Sequence, residues 1–589
     1  MTVKLTFEPL GRETETPPNF ILEIARDANI TIRSDCGGKG LCGKCKIIIT
    51  SINGKVSEVN KIEREHLTLN EIEEGYRLAC QAKAINGEIT VFIPPESRIE
   101  TRKVAETILE TDVELNPPIK KIHLKLKKPT LKDATPDFER LKSPLGRIET
   151  SLNILKRIPK FLRDANWDVT ATLSYNRLIE IEKGDTTDRS YGLAVDIGSS
   201  KIICRLIDLV TGEELAEDYS ENPQVAYGED IISRISYASK SDENLRRLQK
   251  MVIDAINKIV DKLCEKTGIK DHEIYEAMIV GNSVMHHLFF GIYPRYLGRS
   301  PFVPAIKDMI NCQARELGIK INPEGRINSL PLIAGFIGAD ALADILVTQM
   351  HEKDETNMLI DIGTNTEILL GDKDKILACS SPSGPAFEGA HIKHGMKAVN
   401  GAIEKIWFSK GVKYETIGKE KPKGICGSAL IDLVAELYRN GIINKRGRFT
   451  KGKHEFIIAN TDERGTKEDI TVNEKDIDNL LVAKGAIRSA WTILMKKLGI
   501  EEEEISKVYV AGSFGRYIDV ENAKIIGLLP DIPTDQIIFA GDIAIAGASI
   551  TLKSIQKRIE SREIPKLIDY IELSAEKDFN RIFARSIQL

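Results

Sequence analysis

One short pattern occurs twice in this chain, and it governs how most of the chain can fold. Leu193-Ala194-Val195-Asp196-Ile197-Gly198-Ser199-Ser200-Lys201 is one copy and Met358-Leu359-Ile360-Asp361-Ile362-Gly363-Thr364-Asn365-Thr366 is the other. Asp361 follows Asp196 by 165 residues. Each copy reads as an apolar strand, a tight polar turn and a second strand. Thr211-Gly212 and Gly371 to Asp374 then lead to a third strand, so two lobes of like topology are expected. Glycine lets a backbone approach a ligand closely, and hydroxyls with backbone N–H groups can bind phosphate oxygens. An aspartate at a strand end can hold Mg²⁺ that keeps several of its waters. Two such loops facing across a cleft would clamp a triphosphate. The plainer alternative is two ordinary hairpins with acidic ends.

A third stretch bears on the choice. Lys507-Val508-Tyr509-Val510-Ala511-Gly512-Ser513-Phe514-Gly515 is a strand ending in a glycine turn, and it follows a small-residue helix, Val482 to Ala490. Together with the paired loops it resembles the adenosine motif of the actin–Hsp70–sugar-kinase superfamily, preceded by a connecting helix. In the first half, Ala277 to Val280 runs into Gly281-Asn282-Ser283, whose polar residues either face the terminal phosphate or cap the next helix. The resemblance implies a two-lobed actin-like ATPase, a duplicated RNase H-like fold, over 189–350 and 351–589. It places Asp196 and Asp361 in catalytic positions. The nucleotide-binding set is Gly198, Ser199, Ser200, Lys201, Gly281, Asn282, Ser283, Gly363, Thr364, Asn365, Gly512 and Ser513.

The first ninety residues carry different chemistry. Cys36, Cys42 and Cys45 are spaced C-x5-C-x2-C among four glycines, and Cys80 follows after 34 residues. Four thiolates so arranged can hold a [2Fe–2S] cluster. Structural zinc is the alternative, although zinc sites usually pair two close couples. Val3 to Phe7 alternates as a half-buried strand. Lys46 to Thr50 is a β-branched run, and Asn53-Gly54 predicts a hairpin after it. Residues 1–94 resemble a plant- or adrenodoxin-type ferredoxin of β-grasp fold, with the five-residue first gap nearer the adrenodoxin variant. The other five cysteines are scattered and read as small buried hydrophobes.

Between these parts, 95–118 reads as a linker bounded by Pro94-Pro95 and Pro117-Pro118, helical in part over Arg102–Leu109. Residues 119–188 read as a small α+β docking or dimerisation domain. Thr135-Pro136 predicts a helix start with a hydroxyl cap and proline at the first helical position. Pro159 is expected to kink or split a helix over Ser151–Ala165. Ser380 to Ala390 is a flexible loop that would cover a nucleotide or touch a partner. His286-His287 and His391/His394 lack the acidic or thiol ligands that would complete a metal site. A net charge of −4 and the lack of a basic aromatic face argue against a nucleic-acid partner. No signal-peptide core and no apolar run of 18 residues occurs, so the expectation is a cytoplasmic chain without a membrane span.

Read end to end, the chain resembles the ATP-dependent reductive activators of corrinoid proteins. Stretches that carry this are Asn222-Pro223-Gln224 with Gly228 to Arg234, Gly281 to Leu288, and Ile360 to Asn365. No cysteine lies beyond Cys426, so the branch with C-terminal [4Fe–4S] clusters does not apply. The resemblance implies an enzyme of an anaerobe that hydrolyses ATP to return one electron to an inactive cob(II)alamin, forming cob(I)alamin. The protein served would be a corrinoid protein of a methyl-transfer pathway. It implies a [2Fe–2S] cluster on Cys36, Cys42, Cys45 and Cys80, ATP and Mg²⁺, an external low-potential electron donor and a homodimer. The alternatives are a redox-regulated phosphotransferase of the sugar-kinase superfamily and a redox-gated ATP-binding protein.

Overall fold

The N-terminal domain is built on a mixed sheet of β1 (Val3–Glu8), β2 (Arg12–Thr16), β3 (Lys46–Val56), β4 (Tyr76–Leu78) and β5 (Lys83–Phe92), crossed by helix α1 (Ile21–Asp27). The spatial order is β2-β1-β5-β3-β4, with β1 and β5 parallel. This computed structural model describes residues 2–589 except 29, 31, 35, 95–96, 98–108, 110, 112, 229, 451, 453, 462–468 and 513–517. Val3, Leu5 and Phe7 point inward at period two against Leu22, Ile47 and Val91. Asn53-Gly54 does not turn the chain. β3 runs straight through it, and Gly54 lies opposite Gly87 of β5. A Cβ on Gly54 would come within 2.1 Å of the Asn86 carbonyl oxygen, and one on Gly87 within 2.2 Å of that of Asn53. The glycine serves a close approach of two strands, a use that local turn propensity does not reveal. Nearly all of the helix expected over Arg102–Leu109 lies outside the described residues.

The next domain is a four-stranded sheet of β6 (Ile119–Lys125), β7 (Glu149–Thr150), β8 (Asp168–Ser174) and β9 (Arg177–Lys183), in the order β6-β8-β9-β7. Helices α2 (Asp137–Leu145) and α3 (Leu152–Asp164) accompany it. Two expectations fail here. Pro136 is the N-cap of α2 rather than its first residue, and the Thr135 hydroxyl donates to Asp133 instead of capping. Pro159 neither splits nor ends α3, which runs 13 residues from a Ser151 cap. An interior proline costs about 3 kcal/mol. Ile154, Ile158 and Leu162 bury one stripe of the helix, each worth about 1.5–3 kcal/mol, and the proline itself is exposed. The domain rests on the lobe that follows: Lys121 lies 5.0 Å from the Tyr275 ring centroid and Asn322 donates to Glu180 at 3.2 Å.

The remaining chain forms two sheets of one design. The first contains β10 (Tyr191–Ile197), β11 (Lys201–Asp208) and β12 (Glu214–Glu221). Helices α4 (Ile231–Ala238) and α5 (Asp242–Thr267) follow, then β13 (Ile274–Gly281), α6 (Ser283–Phe290), β14 (Asn311–Gln313) and β15 (Arg326–Ser329). Helix α7 (Ala339–Thr348) leads to the second sheet, whose strands are β16 (Asn357–Ile362), β17 (Thr366–Gly371) and β18 (Ile376–Ser381). Then come α8 (Gly427–Arg439), α9 (Glu474–Leu498), β19 (Lys507–Ala511), β20 (Ile537–Gly541), α10 (Ile543–Lys553), α11 (Ile555–Glu563) and β21 (Ile568–Tyr570). The orders are β12-β11-β10-β13-β15-β14 and β20-β19-β16-β17-β18-β21. In both, an antiparallel meander continues into two parallel strands beside its first strand. That is the duplicated, actin-like arrangement expected from the repeat.

The helices between the lobes are α7 and α10, not the Val482–Ala490 stretch. That stretch lies within α9, which packs on β17 and β18 of its own lobe. A shared core joins α7 and α10 to residues of both sheets, including Ala194, Met278, Leu359 and Tyr509. Small residues allow the helices to meet: a Cβ on Gly547 would lie 2.5 Å from that of Ala343. Arg558 of α11 then makes a buried bidentate pair with Glu276 of β13, at 2.6 and 2.7 Å. Residues 543–563 therefore pack with the first lobe, although they lie beyond the 350/351 boundary drawn from sequence. Among the described residues no helix is long and apolar enough to cross a membrane.

Candidate functional site

Asp196 and Asp361 end the first strands of the two sheets, beside Val280 and Ala511 of the adjoining parallel strands. Their turns face one cleft. Gly198, Ser199, Ser200, Lys201 and Asn282 line one wall, and Gly363, Thr364, Asn365 and Gly512 line the other. Gly281 sits behind the first turn at φ +150°, where a Cβ would lie 2.7 Å from the Ile197 carbonyl oxygen. Asn282 caps α6 by accepting from the Val284 N–H and still borders the cleft. Ser283 faces away and donates to the Ala334 carbonyl at 2.8 Å. Ser513 lies outside the described residues. Of the histidines weighed from sequence, His286 bonds Ser329 and His287 bonds the Ser283 carbonyl in the first-lobe core.

Sequence reasoning missed most of the carboxylates on the cleft floor. Asp340, Asp344, Glu367 and Asp542 join Asp196 and Asp361 there. Desolvation raises the Asp340 carboxyl to about 6. Desolvation, then the charges of Asp340 and Asp542, push Asp361 up to about 7. Asp196, Asp344 and Glu367 rise well above the usual carboxylate range for the same two reasons. Asp344 is 1% exposed and neither of its carboxylate oxygens has a hydrogen-bond partner. Like charges crowded in a desolvated floor are stabilised by a cation, so this donor set fits a magnesium ion carried in with a nucleotide. A legible signal did exist: Gly338-Ala339-Asp340 and Gly541-Asp542 each put glycine and then aspartate at the start of a helix, α7 and α10. Two more contacts frame the mouth. Lys397 of the second lobe pairs with Glu221 of the first at 3.2 Å, and Thr364 donates to Glu388 of the Ser380–Ala390 loop at 3.3 Å.

The four predicted thiols form a second site. The sulfurs of Cys36 and Cys42 are 3.5 Å apart, and Gln81 donates to Cys80 at 3.5 Å. Cys45 and Cys80 are buried, and Cys36 and Cys42 are half-buried. Gly37, Gly38, Gly40 and Gly43 all have positive φ, which lets the loop fold back around the sulfurs. A hydrogen bond from Cys42 brings the Cys36 thiol down to about 4, and Cys80 is lowered by its bond with Cys45. The partner thiols, Cys42 and Cys45, are pushed up. Four cysteine sulfurs gathered around one glycine-shaped loop are the ligand type and number that an iron–sulfur cluster takes, so the chemistry of the set fits such a cluster.

Residues 5–84 match the 2Fe-2S iron-sulfur cluster binding domain, Fer2. Residues 108–188 match the RACo linker region, 191–353 the RACo middle region, and 355–589 the C-terminal domain of RACo, the ASKHA domain. The domain at 119–188 thus falls in what that family terms its linker. The corrinoid activation enzyme RamQ of Eubacterium limosum is 31% identical over 601 residues, covering 98% of this chain and 97% of its own. The [Co(II) methylated amine-specific corrinoid protein] reductase of Methanosarcina barkeri is 27% identical over 428 residues, 67% of this chain and 76% of its own. A solved structure described as a reductive activator for corrinoid, iron-sulfur protein superposes with a TM-score of 0.73 at 35% identity, covering 100% of this chain and 98% of that one.

Proposed function

The chain belongs to the family of reductive activators of corrinoid proteins, and from that premise we propose that it reduces the cobalt of a corrinoid protein from cob(II)alamin to cob(I)alamin at the expense of ATP. The observation that carries this reading is the pairing, in one chain, of a four-thiol site with a two-loop cleft floored by carboxylates. Cys36, Cys42, Cys45 and Cys80 would hold a [2Fe–2S] cluster, which when bound supplies one-electron transfer at a potential of roughly −400 mV. Each further ~59 mV of a one-electron reduction is a tenfold unfavourable step, so a harder acceptor needs a second source of drive.

The cleft residues are suited to supply it. N–H groups and hydroxyls of Gly198 to Ser200 and Gly363 to Asn365 bind the phosphates from two sides. Asp196 and Asp361 would hold Mg²⁺, which when bound would supply charge neutralisation at the phosphates. Asp340 is the residue we assign to the attacking water. It borders the cleft, and a general base must lie within hydrogen-bond reach of the proton it takes. The Ala341 N–H donates to it at 2.8 Å and holds its direction. Closure around the nucleotide and reopening after hydrolysis give two conformations, and differential binding of the corrinoid protein to them shifts the reduction. The electron comes from an external low-potential donor, and the working unit is a homodimer, which light scattering measures.

The test combines an oxidised corrinoid protein, a reductant and MgATP with the wild-type chain or with Cys42→Ser. Cob(I)alamin absorbance is expected only with the wild type and only with ATP. Equal formation by both proteins overturns the cluster's role, and formation without ATP overturns that of the cleft.

A further inference from the structure

The thiol domain sits on the first lobe through one compact set of contacts. Arg26 of α1 is buried, donates to the Ala226 carbonyl, and lies 4.8 Å from the Tyr227 ring centroid. Tyr227 packs on Tyr237 at 4.4 Å. Gly37, beside Cys36, has φ +66°, and a Cβ there would lie 2.8 Å from the Tyr227 carbonyl oxygen. Lys39 donates to the Ser233 hydroxyl at 3.1 Å, and Arg247 pairs with Asp27 at 2.9 Å.

The same short segment of the first lobe grips the first cleft loop from its other side. Asn222 donates through Nδ2 to the Gly198 carbonyl and through its backbone N–H to that of Ser200, both at 2.9 Å. Arg234, fully buried, donates through Nη2 to the Ser199 carbonyl at 2.5 Å and through Nε to the Gly228 carbonyl at 2.8 Å. All three successive carbonyls of the loop therefore end on residues 222–234. A peptide unit is planar, so the Ser199 N–H cannot turn toward a phosphate without moving the Gly198 carbonyl. Any such movement is delivered to Asn222 and Arg234, and thence to Ala226, Tyr227 and Ser233.

We propose that the segment from Asn222 to Tyr227 together with Ser233 and Arg234 couples the nucleotide cleft to the seating of the thiol domain, so that the nucleotide changes how firmly Arg26, Asp27, Gly37 and Lys39 rest on the first lobe. The proposal rests on the reading of the cleft as a nucleotide site. By linkage, seating changes nucleotide affinity by the same factor. A packed contact of this kind responds in steps rather than continuously, which suits control over when the thiol loop is presented to a partner.

Hydrogen exchange of the full chain with its cluster in place tests this, with and without a non-hydrolysable ATP analogue. Arg247→Glu sets two acids against each other at the surface of the seat. It is expected to speed exchange over 21–40 roughly tenfold, and adding Asp27→Lys is expected to restore it. In the wild type the analogue slows exchange over 198–200 and shifts exchange over 21–40. In Asn222→Ala the first response remains and the second is lost. Unchanged exchange over 21–40 in Arg247→Glu overturns the seat. Protection of 198–200 by the analogue with no change over 21–40 in the wild type overturns the coupling. No protection of 198–200 overturns the nucleotide reading itself, and the coupling with it.

Discussion

The two Asp-Ile-Gly turns are near copies in sequence and are held by different chemistry. The first-lobe turn is anchored from outside by Asn222 and by the guanidinium of Arg234. The second-lobe turn closes on itself and its neighbouring loop. Gly363 N–H meets the Asn365 carbonyl at 3.1 Å, Gly384 N–H meets that of Thr364 at 3.0 Å, and the Ser383 hydroxyl lies 2.8 Å from that of Thr366. One turn is thus wired to a distant surface by a buried guanidinium, while the other is held within its own lobe, with Thr364 donating to Glu388. Duplication supplies two equivalent walls for a ligand, and the asymmetry of support lets one wall report to the rest of the chain while the other stays fixed.

The largest effect expected concerns what the turns share. Asp361→Asn and Asp196→Asn are each expected to lower ATP hydrolysis by roughly 100- to 1000-fold, the usual loss when a preorganised polar group is removed from a reacting centre. Steady-state phosphate release measures both, and a fall confined to one of them would break the equivalence of the walls. Next comes the difference in support. Arg234→Met strands buried carbonyls in the first lobe and should cost about 2–4 kcal/mol of stability by urea unfolding.

A pH effect in the first lobe comes from His286. Burial, and then His287, hold the His286 ring neutral with a pKa lowered to about 3. The unfolded chain then binds more protons below the ordinary histidine value of about 6.5. Stability is complete above that pH and is lost as pH falls from there toward 3, by about 1.4 kcal/mol per unit at most. The difference in urea midpoint between wild type and His286→Gln, followed from pH 7 to 5, isolates this term. The smallest effect is in the second turn, where Ser383→Ala should cost about 1 kcal/mol. A loss as large as that of Arg234→Met would erase the distinction between the two supports.

Much of both sites was legible because their chemistry is contiguous. Cys36, Cys42 and Cys45 share one loop with the glycines that shape it, and each aspartate is followed directly by the turn that aims it. Legibility ended where a residue's role depends on what it faces. Asn53-Gly54 reads as a turn from its own propensity, yet Gly87 across the sheet makes it a crossing point of two strands. Pro159 reads as a kink or a split, yet α3 runs on through it above the buried stripe of Ile154, Ile158 and Leu162. Ser283, next to Asn282, reads as a cleft residue, but the helix start turns its hydroxyl toward Ala334.

What the sequence by itself determined is the pair of like lobes, the two acidic turns and the thiol loop, because strand period, glycine content and ligand spacing are written in neighbouring residues. Only the tertiary structure decided that Asp340, Asp344, Glu367 and Asp542 share a floor with Asp196 and Asp361, and that the thiol loop rests on the segment that grips the first turn. Desolvation, charge repulsion and close packing depend on distances through space, and residues brought together from separate elements carry no mark of those distances in the chain.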